Sequence, residues 1–176
     1  MNPITTAEKK RVGTGASLLR LILKLTLIGL GVFLILRFVF GVRILYGNAG
    51  YPSVRDGDLV IYSIYERAPP ARGKLVVWED PEGRVSCSRV ICAEEGHRVD
   101  LTDQGVLVDG DVLAEDSFYP LSEEEFPADF PVTLSEREVI LLNDYRPDIR
   151  DSRTWGAIER DCVRGTVVLL VRWRGF

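Results

Sequence analysis

Serine is the residue that could act as a nucleophile in this chain, but the candidate serines have no base beside them. Ser53 follows a proline, and Ser86 and Ser88 lie two residues apart in one short run. Covalent catalysis by serine requires a proton acceptor within hydrogen-bond reach, and the sequence offers no lysine or histidine at either place. The single histidine, His97, has no companion at the spacing of metal ligands. We therefore expect neither a metal nor another cofactor.

Four short blocks follow one another along the chain. The first covers residues 49–58 and begins Ala-Gly-Tyr-Pro, the second covers residues 73–78, and the third is Ser-Arg-Val-Ile at 88–91. The last reads Asn-Asp-Tyr-Arg at 143–146 and Asp-Ser-Arg-Thr-Trp-Gly at 151–156. Any one block occurs by chance, but four in this order behind an apolar N-terminal run form a specific pattern.

These blocks resemble the signature of the type I signal peptidases, peptidase family S26. In that family a serine in the first block, Ser-Met-x-Pro, attacks the scissile carbonyl of a preprotein. A lysine in the third block, Lys-Arg-Val-Ile, is the general base, and the last block reads Gly-Asp-Asn-Arg and then Asp-Ser-Arg. The resemblance implies an all-β, signal-peptidase-like β-barrel domain on a single N-terminal transmembrane helix.

Both catalytic positions of that signature carry other residues, so no catalytic residue is intact. Ala49 stands at the nucleophile position and has no side-chain oxygen, and Ser88 stands at the base position. A serine hydroxyl does not titrate near neutrality, so Ser88 cannot replace the amine. Ile149 stands where the last block usually has a serine that partners the base. The resemblance implies a groove for an extended polypeptide beside Ala49, lined by Gly50, Tyr51 and Pro52.

The remaining framework of the signature survives. Asp151 and Arg153 resemble the family pair that braces the base strand, which implies a buried, charged hydrogen bond. Asn143 and Asp144 are expected to be turn residues that satisfy backbone groups locally. For all four residues we expect a scaffold role and no direct part in chemistry.

Residues 18–40 form an apolar run that is long enough for a membrane-spanning helix. Its 23 residues would cover roughly 34 Å at about 1.5 Å per residue, against a hydrocarbon core of about 30 Å. Three basic residues at 9–11 precede the run. The positive-inside rule then places residues 1–17 in the cytoplasm and residues 41–176 outside the cell membrane.

A cleaved signal peptide is the alternative interpretation of this run. Gly-Asn-Ala at 47–49 offers small residues at the spacing of a cleavage site. Arg37 and Arg43 lie between the apolar run and that site, which disfavours cleavage.

Charge is distributed unequally along the chain. Residues 1–40 hold six basic residues and one acidic residue. The chain has 22 basic and 26 acidic residues in all, so 16 basic and 25 acidic residues lie beyond residue 40. An acidic domain argues against nucleic acid as a partner, because phosphates favour clustered Lys and Arg. Eleven acidic residues and no basic one lie between Asp100 and Glu136. Such a stretch is typical of a solvated surface or of a docking patch for a basic partner.

Beyond the apolar run the sequence predicts short strands separated by Gly- and Pro-rich turns, with no long amphipathic helix. The predicted strands cover residues 58–62, 74–78, 84–92, 98–101, 106–108, 139–142 and 166–173. This pattern indicates a mostly β domain. The barrel-like, all-β architecture is what the resemblance implies. Three cysteines give no even disulfide framework, so buried free thiols are expected.

The closest likeness within the family is to catalytically degenerate members encoded with sortase-built pili in Gram-positive bacteria. It rests on Asn-x-x-Tyr-Pro at 48–52, Leu-Asn-Asp-Tyr-Arg at 142–146 and an Arg-x-Arg-Gly-Phe ending at 172–176. The resemblance implies a membrane-anchored, non-catalytic assembly factor for secreted or pilin polypeptides. In this reading Ser88 faces the same semi-buried groove as Tyr51. The alternatives are an active signal peptidase with a non-standard site and an inert remnant.

Overall fold

The computed structural model describes residues 4–64, 68–114, 119–121 and 126–172. The chain divides into two units, residues 1–39 and residues 40–176. The first unit is the helix α1, Ile4–Val39. Its segment Gly15–Val39 has 25 residues and a mean hydropathy of 2.3, and no residue of its apolar window is buried. By length and composition this segment can cross a membrane, and a signal sequence has the same properties.

The second unit is built mostly of β-strands, so the all-β prediction is confirmed. Two short helical turns interrupt the strands, α2 Ser152–Trp155 and a 3-10 turn Arg160–Cys162. The strands are β1 Phe40–Ile44, β2 Leu59–Ser63, β3 Leu75–Glu79, β4 Val85–Cys92, β5 Arg98–Thr102, β6 Gly105–Val108, β7 Asp111–Val112, β8 Val132–Thr133, β9 Glu138–Leu142, β10 Ile158–Glu159 and β11 Val163–Val171.

All seven predicted strands are present, and β1, β7, β8 and β10 are additional. Three of the additional strands have only two residues each. The fourth, β1, begins at Phe40, which the sequence had assigned to the end of the membrane helix. Phe40 is paired with Ser63 of β2 instead. Apolar residues continue from α1 into β1, so hydropathy alone does not mark this boundary.

Seven strands form one curled sheet, a half-barrel, in the order β1-β2-β11-β3-β4-β9-β10. The other four form a smaller sheet in the order β7-β6-β5-β8. In the large sheet β4 lies between β3 and β9 and is antiparallel to both. This central position places the third sequence block between two buried strands.

Side chains alternate between the two faces of β3 and β4, and both faces are buried. Val76, Trp78 and Val90 belong to a cluster that also holds residues of β9 and β10. Val77 and Cys87 point the other way and pack against a cluster from the first block and β2. A third cluster joins the two sheets, and its members are Ile91, Cys92, Val99, Leu101, Val106, Val108, Leu134, Ile140 and Leu142.

Tyr62 of β2 is buried where two neighbouring strands carry glycine. A Cβ at Gly41 of β1 would lie 2.2 Å from Cζ of the Tyr62 ring. At Gly165 of β11 it would lie 1.8 Å from the backbone oxygen of Ser63. The Tyr62 ring therefore occupies the space that a side chain at position 41 would need, whereas at position 165 the backbone of Ser63 occupies it.

We expect Gly41→Ala to destabilise the domain by about 1–3 kcal/mol, because the added methyl group overpacks the site. Thermal unfolding of the detergent-solubilised protein measures the change. Removing the ring as well, in Gly41→Ala/Tyr62→Leu, should cost less than the sum of the single substitutions. Val42→Thr, at an exposed neighbour, is the control. Additive effects at positions 41 and 62 would contradict the packing described.

Candidate active site

The first, third and last sequence blocks meet at one turn after β9. Arg89 of β4 lies opposite Leu142 of β9, so Ser88 is adjacent to Asn143, where the turn begins. The first block lies in the loop between β1 and β2. It contacts the same turn through the backbone N–H of Tyr145, which donates to the carbonyl oxygen of Ala49 at 3.0 Å. The structure thus brings the nucleophile and base positions of the sequence signature to a common turn.

Ser88 is the centre of a buried chain of hydrogen bonds. The indole Nε1–H of Trp78 donates to Ser88 Oγ at 2.7 Å, and Ser88 Oγ–H donates to Asn143 Oδ1 at 2.6 Å. The Asn143 amide then donates to the carbonyl oxygens of Asp148 and Arg150 at 3.0 and 3.2 Å. Side chains 78, 88 and 143 are fully buried. Their polar groups have partners, so the site is satisfied without water.

Ser88 is fully buried and does not line the semi-buried groove that the sequence predicted for it. Its exposed fraction is 0%. Strand alternation explains the burial, because Cys87 and Arg89 take the face of β4 that meets the first block. Ser88 takes the opposite face, with Trp78. An arginine at position 88 would place an unpaired charge in the core and prevent folding, so Ser88→Arg is not a usable probe of a groove.

The nucleophile position offers no reactive atom. Ala49 is half-buried, and its carbonyl is held by Tyr145 as described above. Gly50 is buried, and a Cβ there would lie 2.9 Å from Val54 Cβ and 3.4 Å from the carbonyl oxygen of Cys87. The contact with Val54, within the same block, is therefore too close for a side chain at position 50, whereas the contact with β4 is an ordinary one. Tyr51 and Pro52 are half-buried and continue the surface that the sequence predicted as a groove.

Ser53 belongs to an ion-pair network, and within the described part of the chain no lysine or histidine side chain is hydrogen-bonded to its hydroxyl. Its hydroxyl donates to Asp144 Oδ2 at 2.7 Å. The Arg89 guanidinium donates to both oxygens of that carboxylate, with Nε–Oδ1 and Nη2–Oδ2 distances of 2.7 and 2.6 Å. The Asp144 lone pairs are thus engaged by a bidentate charged contact. Asp144 joins the first block to β4, a tertiary role beyond the local turn role predicted from the sequence.

The Asp151–Arg153 pair is fully buried and hydrogen-bonded, with 0% exposure on both side chains. Arg153 Nε and Nη2 donate to the Asp151 carboxylate at 2.9 and 2.7 Å. The same guanidinium donates to the carbonyl oxygens of Arg146 and Asp148. Asp151 in turn caps α2 and accepts from the backbone N–H of Asn143 at 2.8 Å. The pair therefore fixes both ends of the turn that carries the site.

Three tyrosines meet beside Ala49. The ring centroids of Tyr51 and Tyr145 are 6.3 Å apart and those of Tyr119 and Tyr145 are 5.1 Å apart, both edge to face. Tyr119 lies 6.3 Å from Tyr51, and the Arg55 guanidinium lies 5.7 Å from the centre of the Tyr51 ring. All three rings are half-buried. We call these residues the tyrosine cluster. Burial, together with the neighbouring phenols, raises the pKa of Tyr119.

Comparison with known proteins identifies the family. The family model described as signal peptidase, peptidase S26, matches residues 18–173. The chain belongs to the S26 signal peptidase family. No curated protein matches it. A crystal structure of a signal peptidase I from Enterococcus faecalis V583 is 24% identical over 58% of this chain and 100% of that chain, with a TM-score of 0.47.

Two residues of the last block make contacts that only the structure reveals. Against the S26 signature, Asn143 stands at the glycine of Gly-Asp-Asn-Arg and Tyr145 stands at the asparagine. Asn143 contacts Ser88, and Tyr145 joins the tyrosine cluster. The sequence predicts only a local turn role for Asn143 and none for Tyr145. It gives no signal for Trp78 or Tyr119, because their contacts join residues that are distant in the chain.

Cys87 is the one thiol beside the first block, and it is a poor substitute for the missing serine. Burial, with a contribution from the Asp144 charge and an opposing one from Arg89, raises the pKa of the Cys87 thiol to about 12. The thiolate is the nucleophilic form, and it is scarce at neutral pH under these conditions. Cys87 and Cys92 are buried free thiols, as predicted, whereas Cys162 is only partly buried.

We expect Arg153→Ala to destabilise the protein by about 3–5 kcal/mol, because the substitution leaves the Asp151 carboxylate buried without its partner. The melting temperature should fall by roughly 10 °C or more. Arg150→Ala is the matched control, since Arg150 pairs with Glu82 on the surface with both side chains 40% or more exposed. Surface pairs of this kind contribute about 0–1 kcal/mol. Equal melting of the two variants would show that the pair does not brace the turn.

Proposed function

We propose that this S26 protein is a non-catalytic, membrane-anchored factor that binds extended polypeptides, such as a pilin or a preprotein, and assists their assembly. The observation that carries the proposal is the closed chain Trp78–Ser88–Asn143 at the base position. It leaves no group there that accepts a proton near neutral pH. Ala49 at the nucleophile position is the second, independent loss.

The competing function is peptide-bond cleavage with a non-standard site. Ser53 is the best-placed hydroxyl, but its one carboxylate neighbour is held by Arg89. Ser86 of β4 is paired with Trp78 of β3, and it lies on the same face of β4 as Ser88. In the described part of the chain, neither serine is hydrogen-bonded to a lysine or histidine side chain. This distribution of partners favours binding without chemistry.

A polypeptide-binding surface at the first block supports a role that survives the loss of catalysis. Tyr51 and the other two members of the tyrosine cluster present half-exposed aromatic rings beside Ala49. Aromatic side chains supply large contact area at low entropy cost and are enriched at binding hot spots. Main-chain pairing can add affinity for an extended client.

The anchor is proposed to be a single membrane span with the N-terminus in the cytoplasm. Support comes from the apolar segment Gly15–Val39 and from the basic residues that precede it. The domain of residues 41–176 then lies outside the cell membrane. Protease added to intact cells should degrade the domain, and protection until lysis would contradict this orientation.

Cleavage is the direct test of the non-catalytic proposal. The purified full-length protein, incubated in detergent or lipid with a secretory preprotein, should leave the substrate intact over a period in which an active signal peptidase processes it completely. Ser53→Ala, Ser86→Ala and Cys87→Ala variants serve as controls. Processing by the parent protein that one of these substitutions abolishes would establish the competing function and identify its nucleophile.

Binding to the first block can be tested with a synthetic peptide that spans the cleavage region of a preprotein. We expect Tyr51→Ala to raise the Kd by about tenfold or more, because it removes a central aromatic contact. Tyr46→Ala is the matched control, since Tyr46 is 79% exposed and lies outside the cluster. Thermal unfolding checks that both variants are folded.

The alternative docking surface is the acidic stretch between Asp100 and Glu136. Its residues Glu123, Glu124 and Glu125 lie outside the described residues. Binding that is unchanged in Tyr51→Ala but lost on charge reversal in this stretch, and that weakens steeply with salt, would move the function to the acidic surface. A pilin in place of the preprotein peptide tests the pilus assignment, which rests on resemblance. The residues 173–176 that contribute to it also lie outside the described part.

A further inference from the structure

We propose that the guanidinium of Arg55 selects polypeptide clients that carry a carboxylate side chain, Asp or Glu, where they pass the tyrosine cluster. The inference rests on the proposed function, because it assumes that an extended polypeptide binds at this cluster. It goes further by naming the residue that sets specificity and the chemical group that this residue recognises.

Arg55 lies over the edge of the tyrosine cluster with its side chain exposed. Its guanidinium carbon is 5.7 Å from the centre of the Tyr51 ring. A guanidinium within about 6 Å of a ring is attracted to the face of that ring. Because the guanidinium is planar, its N–H groups remain at its edge, where two of them can donate to one carboxylate. The ring therefore orients a cation that is still able to bind an anion.

The two acidic residues that follow Arg55 in the chain are engaged with other partners. Asp56 Oδ1 accepts from the backbone N–H of Gly47 at 2.8 Å. Asp58 Oδ2 accepts from Arg172 Nη2 at 3.2 Å, in an ion pair of its own. Within the described part of the chain, Arg55 forms no ion pair. Its positive charge is thus available to a client.

The backbone that carries Arg55 is held in place. Asp58 Oδ2 accepts from the backbone N–H of Arg55 at 2.9 Å, and the backbone N–H of Asp58 donates back to the Arg55 carbonyl oxygen at 3.0 Å. The Asp58 side chain is buried, and so is the preceding residue, Val54, which packs in the core. A side chain on a fixed backbone loses less conformational entropy on binding. Arg55 is therefore placed for recognition before a client arrives.

Net charge alone would not favour acidic clients. Beyond residue 40 the chain has 25 acidic and 16 basic residues, so its overall field does not attract a negatively charged polypeptide. A preference for a client carboxylate must then come from a local contact. We expect that preference at one position of the bound peptide, the position that faces Arg55, and at no other.

The test measures Kd for two matched sets of synthetic peptides with the full-length protein in detergent. Each peptide spans the cleavage region of a preprotein and carries one glutamate, placed at successive positions, and the second set carries glutamine instead. At one position glutamate should bind about fivefold more tightly than glutamine, the upper range of an exposed ion pair. Arg55→Gln should abolish this difference and leave the Kd of the glutamine peptides unchanged, which also shows that the variant is folded. Arg98→Gln, at an exposed arginine of β5, removes the same charge and should keep the difference.

Salt provides a second readout of the same contact. The difference between glutamate and glutamine should shrink as the salt concentration rises from about 0.1 M to about 1 M, because exposed charges are screened. A difference that does not respond to salt would contradict an ion pair with Arg55.

The outcomes separate this inference from the proposed function. A glutamate preference that persists in Arg55→Gln, or no preference at any position, would overturn the inference. The proposed function would still stand if Tyr51→Ala weakens the binding of both peptide sets. Failure of the parent protein to bind either set would instead refute the proposed function, and the inference with it.

Discussion

One buried ion pair sets the geometry of the turn on which the site depends. Asp151 and Arg153 have no exposed side-chain surface, and burial of charge is unfavourable unless every donor and acceptor is used. Here the guanidinium serves the Asp151 carboxylate and two backbone carbonyls, while the carboxylate also accepts from the Asn143 backbone. The turn from residue 143 to 153 is thereby fixed against the end of β9. This position places Asn143 beside Ser88 and Tyr145 beside Ala49.

This scaffold does not require a titratable group at the base position. A neutral lysine in an apolar site lowers the stability of the folded protein, because burial of its amine favours reactivity at the expense of stability. The chain of Trp78, Ser88 and Asn143 fills that place with neutral groups that satisfy one another. A base position without a titratable group is therefore compatible with a well-packed domain. Under the proposed function, binding at the aromatic surface beside Ala49 would not require a base.

The sequence predicted the features that depend on local pattern or on motif spacing. Alternation and turn residues located seven strands, and the surviving motif identified Asp151 and Arg153 as partners. Predictions failed where a contact joins distant segments or where apolar runs merge. Phe40 was assigned to the helix because the hydrophobicity of α1 and β1 is continuous.

The sequence places Ser88 in a semi-buried groove, because a motif gives a residue's position but not which strand face it takes relative to distant neighbours. Its partners Trp78 and Asn143 lie 10 and 55 residues away in the chain. Tyr119 reaches the cluster from an irregular segment with no periodic signal. The hydrogen-bonded side chains at the base position and the aromatic surface could therefore be identified only from the three-dimensional structure.

The central claim is that a closed, non-titrating hydrogen-bond chain occupies the base position. The most direct measurement is the NMR signal of the Trp78 indole proton, assigned by its disappearance in Trp78→Phe. The account predicts slow exchange with water and a chemical shift that stays constant between about pH 5 and pH 9, because no neighbour in the chain titrates there. Fast exchange, or a shift that follows a titration with a midpoint in this range, would contradict it.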